Sequence, residues 1–257
     1  MMQTPFYHYN LNILEQTLCA IEEHSSQLEN VHIHYAIKAN ANPLILKPIL
    51  NHNFGIDCVS GGEVQAAVDA GFAPSSIVFA GVGKADWEID LALELGIACF
   101  NVESEAELDV IQERAALKNK VANIAFRVNP NVDAHTHANI TTGLAENKFG
   151  IEIPMLEPII RKAIALPNIE FKGIHFHIGS QITEMEPFEA LCHKVNEVQD
   201  LLESKGIELE SINVGGGLGV DYDNPETNYI PDFKSYFDVF HKNLKMRARC
   251  LQGQRVG

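Results

Sequence analysis

Residues 54–83 read FGIDCVSGGEVQAAVDAGFAPSSIVFAGVG, and this stretch decides the fold. Gly55–Ser60 and Ile77–Gly81 are short β-rich runs, and Gly62–Ala70 between them carries a helical pattern. Ser60 with Glu63 three residues later reads as a helix N-cap with an acid at the third helical position. Glu63 is thereby explained without catalysis. Strand, helix and strand in this order make a βαβ unit, with parallel strands joined by a crossover helix.

The same alternation extends in both directions. Further strands are predicted at Val31–Ala39, Cys99–Val102, Asn123–Asn129, Phe171–Gly179 and Ile212–Gly216. Helices are predicted at Asn10–His24, Trp87–Leu95, Ser104–Leu117, Met155–Ala165, Pro187–Lys205 and Pro231–Lys245. A doubly wound open sheet and a closed (β/α)8 barrel both fit this order. The polar residues choose between them. Lys38, Asp57, Ser60, Gly81, Arg127, Asn129, His177, Ser180 and Gly215–Gly217 fall at or just after strand C-termini. They come from most of the strands, as expected for a barrel mouth, whereas an open sheet concentrates its site near one switch point. The strand count is one short of eight, so the first and last strands are expected to have open edges. In Val31–Ala39, Val31, Ile33 and Ile37 share one parity, and Lys38 has the other and is expected to point into the barrel.

Composition fits a soluble globular chain: 257 residues, 46% hydrophobic and 21% charged. No apolar run is long enough for a transmembrane helix, and the N-terminus MMQTPFYHYN lacks the features of a signal peptide, which points to the cytoplasm. Cys19, Cys58, Cys99, Cys192 and Cys250 are scattered and form no C-x-x-C pair, so neither a disulfide framework nor a structural zinc site is expected. Most of them are expected to be small buried hydrophobes. The net charge of −15 disfavours nucleic acid and anionic membrane as partners. All 34 acidic residues precede Val239, giving −20 for residues 1–238, while the last 19 residues carry +5. The ending LKMRARCLQGQRVG (244–257) has no clear periodicity and does not read like the rest of the chain.

Several residues point to chemistry. Lys38, in HYAIKANANP, is either a solvated strand end or an amine able to lose its proton at a partly desolvated mouth and condense with an aldehyde cofactor. Gly215, Gly216 and Gly217 either form a plain turn or let backbone N–H groups approach a phosphate, and a barrel has a recurrent phosphate site after its seventh strand. The Ser180 hydroxyl is placed to join them. His177 is a hydrogen-bonded core histidine, or a catalytic ring that stacks on a planar cofactor or shuttles a proton. His-x-His pairs at His32/His34, His135/His137 and His175/His177 lack accompanying ligands at metal-site spacing, so no metal is assigned. Arg127 in FRVNP is either a buried ion-pair partner or an anion clamp.

The set YAIKAN, FGIDCVSGGE, FAGVGK, FNVES, FRVNP, KFGI, HFHIGSQ and NVGGGLG resembles the fold-type III pyridoxal-phosphate decarboxylases in order and spacing, over about residues 3–245. The segment AHTHANITTG–LAENKFG resembles the diaminopimelate decarboxylase branch. The resemblance implies a (β/α)8 TIM-like barrel of the alanine racemase-like type, with pyridoxal 5′-phosphate as cofactor. It implies that Lys38 binds the cofactor aldehyde, that His177 stacks on the ring, and that Ser180 and Gly215–Gly217 hold the phosphate. Asp57 and Arg127 would line the pocket, and Glu63 would support it. The implied reaction decarboxylates meso-diaminopimelate, a small-molecule amino acid, to L-lysine. The family's active sites are shared by two subunits, so a homodimer is expected of a complete enzyme. Members continue with an eighth strand bearing a glutamate and then a β-rich domain. Neither is legible here, so the reading is a barrel over residues 1–246, an atypical basic tail over 247–257, and a truncation or frame departure near Arg247 or Ala248. Activity is then expected to be impaired. The alternatives are another basic amino-acid or carboxynorspermidine decarboxylase, a non-catalytic cofactor-binding fragment, and a single-domain pyridoxal-phosphate homeostasis barrel. AHTHANITTG argues against the last.

Overall fold

The computed structural model describes residues 5–131, 149–225 and 227–245. The AHTHANITTG segment, the His135/His137 pair, Cys250 and the basic tail therefore lie outside the described residues. The described strands are β1 His34–Ala36, β2 Gly55–Cys58, β3 Ile77–Phe79, β4 Cys99–Val102, β5 Ala122–Asn129, β6 Ile151–Glu152, β7 Ile169–His175 and β8 Ser211–Asn213. The helices are α1 Leu11–Ser25, α2 Pro43–Asn51, α3 Gly61–Asp69, α4 Asp86–Leu95, α5 Glu105–Leu117, α6 Ile153–Ala165, α7 Glu186–Ser204 and α8 Phe233–Asn243.

All strand pairings are parallel, and the main path runs β1-β2-β3-β4-β5-β7-β8, with short β6 beside β5. The strands are buried runs such as Ile77–Phe79, covered on both faces, as parallel sheets require. The sheet is curled rather than open. His34 of β1, Asn101 of β4, Ala125 of β5 and Asn213 of β8 line one interior cavity of about 330 Å³, which joins both ends of the path to its middle. The small Ala125 side chain is part of the lining that leaves that space.

Local sequence starts the helices. Asn10 Oδ1 accepts from the Asn12 and Ile13 amides, capping α1, and Asn42 followed by Pro43 starts α2. Asp232 accepts from the Ser235 amide at the start of α8. Gly96, in the left-handed conformation, ends α4.

As expected, β1 and β8 end the path with unpaired edges among the described residues. Between them lies an apolar slot of about 380 Å³, lined by Leu18, Ile21, Ile33, Val214, Tyr236 and Phe240 among others. Helix α8 covers part of it through Tyr236, Phe237 and Phe240, all buried.

Three sequence expectations need correction. The predicted strand Val31–Ala39 ends at Ala36, and Ile37–Ala39 forms a 3₁₀ turn. The parity argument for Lys38 fails there, because side-chain alternation holds only in extended chain. The predicted strand Phe171–Gly179 ends at His175, so His177 lies in the loop beyond it. Helix α2 was missed because its PLILKPILN sequence contains two prolines. Pro43 sits in the first turn, where its missing N–H costs nothing. Cys58 and Cys192 are buried as expected, whereas Cys19 is exposed.

Candidate active site

The loops after β2, β3 and β4 share one local device. Ser60 Oγ accepts from the Glu63 amide at 3.3 Å while Glu63 Oε2 accepts from the Val59 amide at 2.7 Å. Ser104 Oγ accepts from the Glu107 amide at 3.1 Å, and Glu107 Oε2 accepts from the Glu103 amide at 2.8 Å. Glu88 reaches the Ala85 amide at 2.8 Å and the Gly61 amide at 2.6 Å, tying α4 to the start of α3. These carboxylates satisfy helix N-terminal donors and oppose the positive end of the helix dipole. The reading of Glu63 as a capping acid agrees with this geometry.

A charged network lies beneath these loops. Glu103 is buried, and both its oxygens accept from Arg127 Nη1 at 2.9 and 3.0 Å. Glu103 Oε1 also accepts from the Gly81 amide at 3.1 Å. Lys84, with 1% of its side chain exposed, donates to Gly81 O, Asn101 O and Glu107 Oε1 at 2.8, 3.0 and 2.6 Å. Of the two readings of Arg127, the structure gives the ion pair. Glu103, Lys84 and Glu107 were not singled out from the sequence. FAGVGK and FNVES, quoted for their resemblance, contain Lys84 and Glu103, whereas Glu107 lies in neither.

Above the network the remaining candidates converge. Ala36 is in register with Asp57. The turn carrying Lys38 is held by buried Ile37 and by the Tyr35 hydroxyl, which donates to Asn40 O at 3.2 Å, leaving Lys38 exposed at the mouth. Asp57 Oδ1 is shut off from solvent and has no hydrogen-bond partner. Burial pushes its carboxyl up to about 6, against the pull of nearby Lys38. Burial, aided by Arg127 and Lys38, pushes the His177 imidazole down to about 4, so its ring is neutral near pH 7. His175, deeper, is displaced in the same direction, first by burial and then by Arg127.

The glycine loop is built for close approach. Gly215 and Gly217 have φ of 74° and 107°, and a Cβ on either would strike Phe176 O or Gly179 O. A Cβ on Gly216 would meet open space. The Ile182 amide donates to Gly217 O at 2.9 Å, and the Gly219 amide donates to Ile182 O at 2.9 Å. These bonds stitch the loop carrying Ser180 to the glycine loop. The mouth thus combines an amine, a buried carboxylate, a neutral imidazole, a hydroxyl and a glycine cradle. That donor set fits an aldehyde-bearing, ring-containing phosphate ester: a phosphate for the cradle, a ring beside His177 and an orphaned carboxylate oxygen available to a ring donor.

The titrations have opposite consequences for stability. Asp57 binds its proton more tightly when folded, so its stabilising contribution is complete below pH 3.8 and is lost as pH rises through 6. His177 does the reverse, losing its contribution as pH falls from 6.5 towards 4. Urea unfolding at pH 7 and pH 4 checks both. Relative to the parent chain, Asp57→Asn should lose about 2 kcal/mol between pH 7 and pH 4, and His177→Gln should gain about 3 kcal/mol. Differences that stay flat with pH would disprove the assigned burial effects.

A family model described as "Pyridoxal-dependent decarboxylase, pyridoxal binding domain" matches residues 14–256. The chain belongs to the pyridoxal-dependent decarboxylase family. Among curated members, the diaminopimelate decarboxylase of Bacteroides thetaiotaomicron is 58% identical over 246 residues, covering 96% of this chain and 64% of that protein. The enzyme of that name from Helicobacter pylori strain J99 is 42% identical, covering 99% and 62%. The crystal structure of Helicobacter pylori diaminopimelate decarboxylase complexed with L-lysine superposes with a TM-score of 0.88 at 38% identity, covering 99% of this chain and 63% of that one. The sequence thus spans a little under two thirds of the length of these decarboxylases. A pyridoxal-binding domain of this family accounts for the curled parallel sheet. Among the described residues no helix is long and apolar enough to cross a membrane.

Proposed function

We propose that this chain binds pyridoxal 5′-phosphate at the barrel mouth and serves decarboxylation of meso-diaminopimelate to L-lysine. The observation that carries the reading is the convergence of Lys38, Asp57, His177, Ser180 and Gly215–Gly217 on one mouth. In this reading Lys38 holds the cofactor aldehyde, His177 stacks on the ring, and Ser180 with Gly215–Gly217 holds the phosphate. Asp57 lines the pocket and is mostly ionised at pH 7. Arg127 acts through Glu103, with which it holds the β4 and β5 ends in register. When bound, the cofactor supplies an electron sink for the bond to the departing carboxylate. The likeness to diaminopimelate decarboxylases supports meso-diaminopimelate as the substrate. By the same likeness we place the protein in the cytoplasm and its assembled form as a homodimer, with residues 1–246 as the barrel unit and 247–257 as an atypical extension.

The open edges of β1 and β8 favour a second reading, a cofactor-binding unit without turnover. One assay separates the two. The chain is loaded with pyridoxal phosphate and supplied with meso-diaminopimelate, L-lysine, L-ornithine or L-arginine, while carbon dioxide and amine products are followed. Lysine formed from meso-diaminopimelate supports the proposal. Faster turnover of another amino acid overturns the substrate, and cofactor binding with no turnover of any gives the second reading.

A further inference from the structure

On the outer surface, away from the mouth, Glu15, Cys19 and Glu22 follow one another at spacings of four and three along α1 and therefore share a face. His52, the C-terminal cap residue of α2, reaches into that face with only 10% of its side chain exposed. Its Nε2 lies 3.1 Å from Glu15 Oε1 and its Nδ1 lies 2.9 Å from Glu22 Oε1. One donor atom each from Glu15, Cys19 and His52 lies within 4.8 Å of the others. The sequence drew attention to the His-x-His pairs instead. The residues that converge are 15, 19 and 52, brought together by helix packing.

The imidazole explains why a cation belongs there. A neutral ring carries one N–H. With Nδ1–H given to Glu22, the Nε2 lone pair faces a carboxylate oxygen, a repulsive contact unless a positive charge lies between them. A divalent ion supplies that charge and takes Cys19 as a third donor, because imidazole nitrogen, thiolate and carboxylate together are ligands of zinc. The Glu22 bond to Nδ1 is then the outer carboxylate that fixes the tautomer and aims Nε2 at the metal.

We propose that Glu15, Cys19 and His52 form a surface Zn²⁺ site, with Glu22 orienting His52 and water completing the tetrahedron. Zinc bonds of 2.0–2.3 Å place tetrahedral ligands roughly 3.3–3.8 Å apart, so the Glu15–His52 pair, at 3.1 Å, opens slightly and the wider separations, up to 4.8 Å, close by up to about 1 Å. Glu15 and Cys19 are exposed, so their side chains are free of close packing that would oppose that adjustment. The ion ties α1 to α2. Leu18 and Ile21 on the same α1 line the slot between β1 and β8, so the metal fastens the helix that covers part of the sheet's open edge.

Cobalt(II) is the optical probe. The purified full chain, stripped of metal, is titrated with Co²⁺ and then with Zn²⁺. One equivalent of Co²⁺ should give a thiolate-to-metal charge-transfer band and intense tetrahedral visible bands, and Zn²⁺ should abolish both. Cys19→Ser should remove the charge-transfer band, and His52→Gln should remove stoichiometric binding. Glu22→Gln should keep the band but weaken affinity about 10–100-fold. Circular dichroism confirms folding of each variant, and Cys19→Ser, altering an exposed group, keeps the test decisive if His52→Gln unfolds. Absence of a thiolate band at one equivalent, or its survival in Cys19→Ser, overturns the proposal.

Discussion

Replacing Glu103 by alanine should destabilise the domain by about 3–5 kcal/mol, the usual cost of stranding one partner of a buried ion pair. Glu103 accepts from Arg127 with both oxygens and from the Gly81 amide, so the variant leaves a buried guanidinium and a backbone N–H without an acceptor. A loss of this size is a large share of the 5–15 kcal/mol typical of a whole domain, so the variant should populate unfolded chain at modest urea concentrations. The double variant Glu103→Ala/Arg127→Met should recover much of the loss, because it removes the unpaired charge while filling similar volume. Urea unfolding of parent, single and double variants measures the effect. A single-variant loss below about 1 kcal/mol, or no recovery in the double variant, would mean that the pair is hydrated in solution.

Lys38→Ala should have the opposite profile, a complete change in ligand chemistry with almost none in stability. Lys38 is exposed at the mouth, held by a turn whose anchors are Ile37 and Tyr35. Truncating an exposed side chain changes stability by roughly 0.5 kcal/mol or less. A primary amine is nevertheless required to join an aldehyde covalently. The parent chain mixed with pyridoxal phosphate should therefore develop a visible absorption band that Lys38→Ala lacks, while urea midpoints coincide. An equal band in Lys38→Ala would assign the aldehyde to a different amine, with buried Lys84 the first alternative to test. No band in either protein would show that the open-edged barrel does not hold the cofactor.

Much of this molecule is written locally. The order of strands and helices followed from periodicity. The start of α3 followed from Ser60 with Glu63, because that cap is made within four residues of chain, and the structure repeats it at the start of α5 with Ser104 and Glu107. The motif-bearing loops were legible too, since a parallel βα repeat delivers every strand C-terminus to the same end of the sheet. Local reading failed where extended geometry was assumed beyond its limits. Lys38 is presented by a 3₁₀ turn and His177 by a loop, and parity says nothing about either.

The sequence by itself determined a parallel βα architecture, the end of the sheet that bears the site, and the family to which these residues belong. Tertiary structure alone decided that Arg127 pairs with Glu103, that Lys84 is buried against Glu107, and that His52 stands between Glu15 and Glu22. These partners are 24, 23, 37 and 30 residues apart. Caps and periodicity are properties of a few consecutive residues. Buried charges find their partners only when the curl of the sheet and the packing of helices bring distant segments together, and burial then makes each pairing obligatory.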